Sequence, residues 1–150
     1  MRKQKLDEVI GDLLSLTPLI RRSIHRKLLK AAFTKIEEDV GQPHLEIMKI
    51  LEMEGTKHIA EIGERLHIPK PQMTHLIDRL EQLDIVQRQS DASDRRVTNV
   101  VLTDHGRSIV QEIDEHLYDS MAEVLACLSD AELRDLSVSL KKLRDLLDKI

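Results

Sequence analysis

Aromatic residues are almost missing from this 150-residue chain. It has no tryptophan, and its only rings of that kind are Phe33 and Tyr118. A core must therefore be built from Leu, Ile, Val and Met, which the length permits for one domain spanning residues 1–150. A single cysteine, Cys127, excludes an internal disulfide and suits a cytoplasmic chain. It falls on an apolar stripe beside Val124 and Leu128, so a buried, inert thiol is expected rather than a nucleophile. No apolar run approaches the roughly 20 residues that cross a bilayer, so no membrane partner is expected. The charged start MRKQKLDEVIGDLL lacks the apolar stretch and small-residue cleavage site of a signal peptide. Also missing are a Gly-rich phosphate loop, a Gly-x-Ser-x-Gly elbow and a His-Glu-x-x-His pair. An enzyme is not expected, nor is a cofactor.

An excess of positive charge is lacking too. The net charge is −4, which at first speaks against a nucleic-acid partner. Its distribution answers part of the objection. Residues 102–150 hold 11 Asp/Glu against 6 Lys/Arg, whereas residues 56–101 are balanced at 7 and 7. The local field at a binding surface matters more than the total.

What is present centres on residues 59–102. Ile59, Ile62 and Leu66 mark a short amphipathic helix that ends at His67-Ile68-Pro69. Met73, Leu76, Ile77 and Leu80 recur at i, i+3, i+4, i+7, one stripe of a second helix. Residues 85–88 and 97–102 flank the polar hexapeptide Gln89 to Asp94 and read as a β-hairpin. Helix, tight turn, helix and hairpin is the order of a winged helix-turn-helix, which sets its second helix in the DNA major groove. The face opposite the stripe carries Pro71, His75, Asp78, Arg79 and Gln82, flanked by Gln72 and Thr74, with Lys70 at the start. The amide, hydroxyl, imidazole and guanidinium groups among them are of the types that hydrogen-bond base edges and phosphates, although any surface helix is polar outside. The hairpin tip Asp94-Arg95-Arg96 adds two guanidiniums that can reach phosphates or a narrow minor groove.

The run AEIGERLHIPKPQMTHLIDRLEQLDIVQR, then SDASDRR, then VVLTDHG resembles the MarR family of transcription regulators. The match covers residues 60–106, and the order of flanking helices extends it over nearly the whole chain. The resemblance implies a mainly α fold with a small β-hairpin wing. Residues 41–102 would form the winged helix-turn-helix DNA-binding lobe, and residues 1–36 and 103–150 the dimerisation helices. Three positions depart from the family pattern. His67 and Asp84 stand where glycine is common, and both tolerate the positive φ expected there. Pro69 replaces the usual Ser/Thr cap of the second helix, while Pro71 fits within the first helical turn.

The helices outside the lobe have their own punctuation. Leu6, Val9, Ile10, Leu13 and Leu14, then Leu19 through Phe33, continue a helical pattern that Thr17-Pro18 interrupts. Either a kink near Pro18 or two helices with Thr17 as cap is expected. A short helix opens at Pro43. Thr103 is the expected cap of a long helix to about Leu128, and Ser129 with Glu132 forms a capping box for the last helix. These long amphipathic segments exceed the needs of one winged-helix domain and point to a two-fold partner, a homodimer.

The resulting reading is a dimeric, sequence-specific double-stranded-DNA-binding transcription regulator, a repressor acting on a pseudo-palindromic operator. Gln72, Thr74 and His75 are assigned to base edges, Lys70, Arg79 and Arg88 to phosphates, Arg95 to the minor groove, and Arg96 to DNA contact at the wing tip. Asp94 is assigned to an ion pair within the wing. By resemblance, a small aromatic or phenolic effector releases the DNA, with Arg21, His25 and His44 as candidates to bind it. Two alternatives stand: a winged-helix protein–protein docking module, and a metal-sensing regulator using His105, Glu112 and His116. Tetrahedral zinc wants a tighter cluster than these scattered histidines offer, so no metal site is expected.

Overall fold

The computed structural model describes residues 1–33 and 40–150, and these fall into two compact units. Residues 34–36, the end of the first expected helical pattern, lie outside the described residues.

One unit comprises Leu29–Leu117 and contains the winged helix. Its helices are α3 (Gln42–Glu54), α4 (Ile59–Leu66), α5 (Lys70–Gln82) and the first part of α6 (Asp104–Leu125). Strands β2 (Val86–Ser90) and β3 (Thr98–Leu102) form the wing. A two-residue strand β1 (Lys57–His58), invisible to periodicity, adds to the other side of β3. The sheet is antiparallel in the order β1-β3-β2, with Val86 opposite Leu102, Arg88 opposite Val100 and Ser90 opposite Thr98. The first arm of the hairpin thus reaches two residues further toward the tip than expected, because Gln89 and Ser90 pair with Asn99 and Thr98 despite their polarity.

The expected stripes are the core. Met73, Leu76, Ile77 and Leu80 of α5 are buried against Ile47, Met48 and Leu51 of α3 and Ile62 of α4. Ile85, Val86, Val100 and Leu102 of the wing base close the cluster with Val110 and Ile113 of α6.

Two left-handed residues shape the lobe, as the sequence leads one to expect. His67 has φ 54° and ψ 40°, and Asp84 has φ 57°. Both end their helices in the same way. Ile68 N–H donates to Gly63 O at 2.8 Å, and Ile85 N–H donates to Leu80 O at 2.9 Å, so the chain turns sharply out of α4 and α5. Pro69 then enters α5 in an extended conformation, φ −61° and ψ 148°, with Pro71 inside the first turn. α6 begins under the wing. Thr103 Oγ1 accepts from Gly106 N–H at 2.9 Å, the expected cap, and donates to the carbonyls of Asp84 and Ile85.

The other unit comprises Met1–Leu28 and Tyr118–Ile150. α1 (Arg2–Ile20) continues through Pro18 instead of stopping there. Thr17 does not cap; its Oγ1 donates back to Leu13 O at 3.1 Å. The irregularity comes later, as a π-helical turn at Arg21–His25 before α2 (Arg26–Phe33). A widened turn of this kind absorbs an interrupted hydrogen-bond ladder. α6 ends at Leu125, short of Leu128, and α7 (Asp130–Leu147) starts at the expected capping box, with Ser129 N–H donating to Glu132 Oε2 at 2.8 Å. That early stop corrects the expectation for Cys127, which sits in the turn after α6 and is exposed. No residue of this unit is buried. Leu6, Val9, Ile10, Leu13, Leu14 and Ile20 of α1 all remain at least 40% exposed.

Candidate nucleic-acid interface

α5 presents the face its sequence implies. Lys70, Pro71, Gln72, Thr74 and His75 are exposed along the first two turns, while the apolar stripe behind them is buried. Thr74 Oγ1 donates to Lys70 O at 3.1 Å. With its proton spent on its own helix, this hydroxyl is left as an acceptor, suited to an amino group on a base edge. Arg79 differs from these residues. It is half-buried at the C-terminal end of the helix, and its Nη1 donates to Gln82 Oε1 at 3.4 Å.

The wing tip is organised by Asp91, to which the sequence alone assigns no role. Asp91 Oδ1 accepts from Ser93 N–H at 2.8 Å, Ser93 Oγ at 2.6 Å and Asp94 N–H at 3.2 Å. Its Oδ2 accepts from Asn99 Nδ2 at 3.2 Å. The Ser93 hydroxyl and amide, then Asn99 and the Asp94 amide, hold its carboxyl well below the usual carboxylate range. The Asp-x-Ser-Asp spacing at 91–94 is that of a side-chain-closed turn, and it is the signal by which a sequence can reveal such a tip. Asp94 pairs within the wing as expected. Its partner is Arg96, whose Nε lies 3.2 Å from Asp94 Oδ1 and whose backbone N–H donates to the same oxygen at 3.0 Å. The Arg96 side chain and amide lower the Asp94 pKa. Arg96 is nevertheless 91% exposed, and Arg95 beside it is exposed with no ion pair among the described residues.

Arg88 is where the structure departs most from its expected role. Its guanidinium is held by Asp78 Oδ1 at 2.5 Å and Glu81 Oε1 at 3.0 Å, and its backbone N–H donates to Glu81 Oε2 at 3.0 Å. Desolvation opposes the charge, but the two carboxylates outweigh it and raise the pKa further. This arginine is occupied within the lobe.

Between the start of α5 and strand β3 lies an open cleft of about 860 Å³. Ile59, Ile68, Met73 and Val97 contribute apolar walls, and Lys70 and Arg96 stand among its polar lining. The cleft brings Lys70 and Thr74 of α5 and Arg96 of the wing to one opening.

The three effector candidates are not alike. Arg21 is exposed and His25 half-buried, both in the π-helical turn. His44 is buried, only 7% exposed, and its Nδ1 accepts from Gly41 N–H at 3.0 Å. It satisfies an otherwise orphaned donor at the start of α3, a structural use for that ring nitrogen. Among the described residues, no three His, Cys, Asp or Glu side chains gather as a metal would need, His105, Glu112 and His116 included. No described helix is long and apolar enough to cross a membrane.

Comparison with known proteins agrees with this geometry. The MarR family model matches residues 41–98. The chain is 30% identical over 114 residues to the HTH-type transcriptional repressor MdtR of Bacillus subtilis, covering 70% of this chain and 74% of that one. It is 28% identical over 128 residues to the HTH-type transcriptional regulator FarR of Neisseria gonorrhoeae, covering 82% and 88%. Among solved structures it is similar to YusO of Bacillus subtilis, with a TM-score of 0.73, 28% identity, and 93% and 96% of the two chains covered. The regulator BldR of Sulfolobus solfataricus shares the fold, with a TM-score of 0.71 at 23% identity over 97% and 99%. The winged lobe, its exposed polar helix and these relatives converge: the chain belongs to the MarR family, and it is a DNA-binding transcription regulator rather than an enzyme.

Proposed function

We propose that the protein is a homodimeric repressor that reads a pseudo-palindromic operator with α5 in the major groove and the wing in the flanking minor groove. The observation that carries this reading is the cleft that Lys70 and Thr74 of α5 line together with Arg96 of the wing, with His75 and Arg95 exposed next to them in the chain. Gln72 and His75 address base edges, Thr74 accepts from an exocyclic amino group, and Lys70 neutralises a phosphate. Arg95 enters the minor groove, and Arg96, oriented by Asp94, meets the backbone beside it. Arg79 contributes a backbone contact from the helix end.

The dimer is supported by the uncovered apolar stripes of α1 and α7, which leave large side chains such as Leu14 (69% exposed) and Leu140 (55%) in water unless a second copy covers them. Two-fold symmetry would place the recognition helices roughly 34–36 Å apart, one DNA turn. Effector release is proposed from the resemblance: a small aromatic or phenolic compound that favours one lobe spacing would shift the dimer away from the DNA-bound population.

Fluorescence anisotropy with a bound duplex at several salt concentrations tests the assignment of Arg95. Arg95→Ala is expected to weaken binding by about 10- to 100-fold and to leave the dimer and its melting temperature unchanged. Unchanged affinity would remove Arg95 from the interface.

A further inference from the structure

We infer that Arg88 is a positioning residue that locks the wing to the recognition helix, and that it does not contact the phosphate backbone. The inference rests on the reading of α5 and the wing as the DNA-binding surface.

Arg88 lies midway along β2, opposite Val100 of β3. Its side chain and backbone are both claimed by α5. Glu81 bridges them, taking Nη1 on one carboxylate oxygen and the backbone N–H on the other, and Asp78 takes Nη2. Asp78 and Glu81 are three residues apart, so one helix face offers both carboxylates to one planar fork. The three side chains together carry a formal charge of −1, which repels a phosphate. A phosphate reaching this guanidinium, only 29% exposed at the edge of the cleft, would meet two carboxylates that already hold both its terminal nitrogens. Arg95 and Arg96, by contrast, are exposed at the tip.

The clamp has a use in a reader with two points of attachment. Helix and wing engage adjacent grooves at once, and a fixed separation spares the ordering cost of bringing a swinging wing into place. Removing the clamp should therefore weaken binding because the two elements no longer engage together, while the DNA phosphates stay neutralised as before.

Charge arithmetic separates the two roles. For a duplex bound by the unaltered protein, anisotropy titrations at several salt concentrations would compare R88Q, R88K, D78N/E81Q and the triple variant. A positioning role predicts a loss of about tenfold for R88Q with the salt slope retained, within the range for residues of one ion-pair network. D78N/E81Q should lose a similar factor although it removes two negative charges, and the triple variant should be no worse than either. R88K, which keeps the charge without the fork, should fall with R88Q. A phosphate contact predicts the opposite: D78N/E81Q binds more tightly, R88K keeps affinity, and R88Q lowers the salt slope by about one. Either of the first two results, or that drop in slope, overturns the inference. Melting curves on each variant, with R88K the mildest change, separate lost positioning from lost fold. Failure of the unaltered protein to bind any duplex would instead overturn the reading on which the inference rests.

Discussion

Gly106→Ala is expected to destabilise the winged lobe by about 3 kcal/mol or more, among the larger effects of a single methyl group. A Cβ built at this position would lie 2.0 Å from the carbonyl oxygen of Ile85 and 2.9 Å from its carbonyl carbon. Those are backbone atoms, so no side chain can rotate away. The same place carries the cap of α6, where Gly106 N–H donates to Thr103 Oγ1 and the Thr103 backbone N–H donates to Ile85 O at 3.0 Å. Moving α6 outward to make room would break the joint that fixes the base of the wing. At roughly 2–4 °C per kcal/mol for a chain of this size, the melting temperature should fall by roughly 10 °C. Gly11→Ala is the control: nothing lies within 4 Å of a Cβ there, in the interior of α1, and the better helix former should hold or raise stability. Equal melting temperatures for Gly106→Ala and the unaltered protein would show that the close approach of α6 to Ile85 is not maintained in solution.

Ile10→Asp/Leu13→Asp is expected to convert the proposed homodimer into a monomer. Both side chains lie on the α1 stripe, 44% and 40% exposed in the single chain. In a dimer they would be buried, and an unpaired carboxylate there costs several kcal/mol. Light scattering should then report one 17.3 kDa chain where the unaltered protein gives twice that mass. DNA affinity should fall with it by about 10²- to 10⁴-fold, the gain that linking two half-site readers provides. The winged lobe has its own core and should keep its fold, visible as retained helical circular dichroism. A variant that stays dimeric would move the interface elsewhere.

Much of this architecture was legible in the residues because local chemistry and burial agree. The α5 stripe is buried residue for residue, since a helix with four apolar positions on one side has one way to face a core. His67 and Asp84 take positive φ because the chain must leave each helix sharply, toward α5 in one case and the wing in the other. Thr103 and Ser129 cap as their spacing suggests. Other features depend on tertiary neighbours and leave no periodic trace. Strand β1 is two polar residues, and it exists only because β3 has an open edge beside it. Arg88 reads as a surface cation until the fold brings Asp78 and Glu81 alongside. The hydrogen bond that His44 accepts from the Gly41 amide depends on how the chain enters α3 and leaves no mark in the pattern. Pro18 shows the limit of a good rule: proline disfavours helix interiors, yet α1 continues through it and widens only at Arg21–His25.

Chemical footprinting of a genomic fragment captured by the protein would show which grooves α5 and the wing occupy. Two protected major-groove patches are expected one helical turn apart, about 10 base pairs, each flanked outward by minor-groove protection that Arg95→Ala abolishes. A fragment bound without major-groove protection, or no duplex bound even in dilute buffer, would contradict the proposed function.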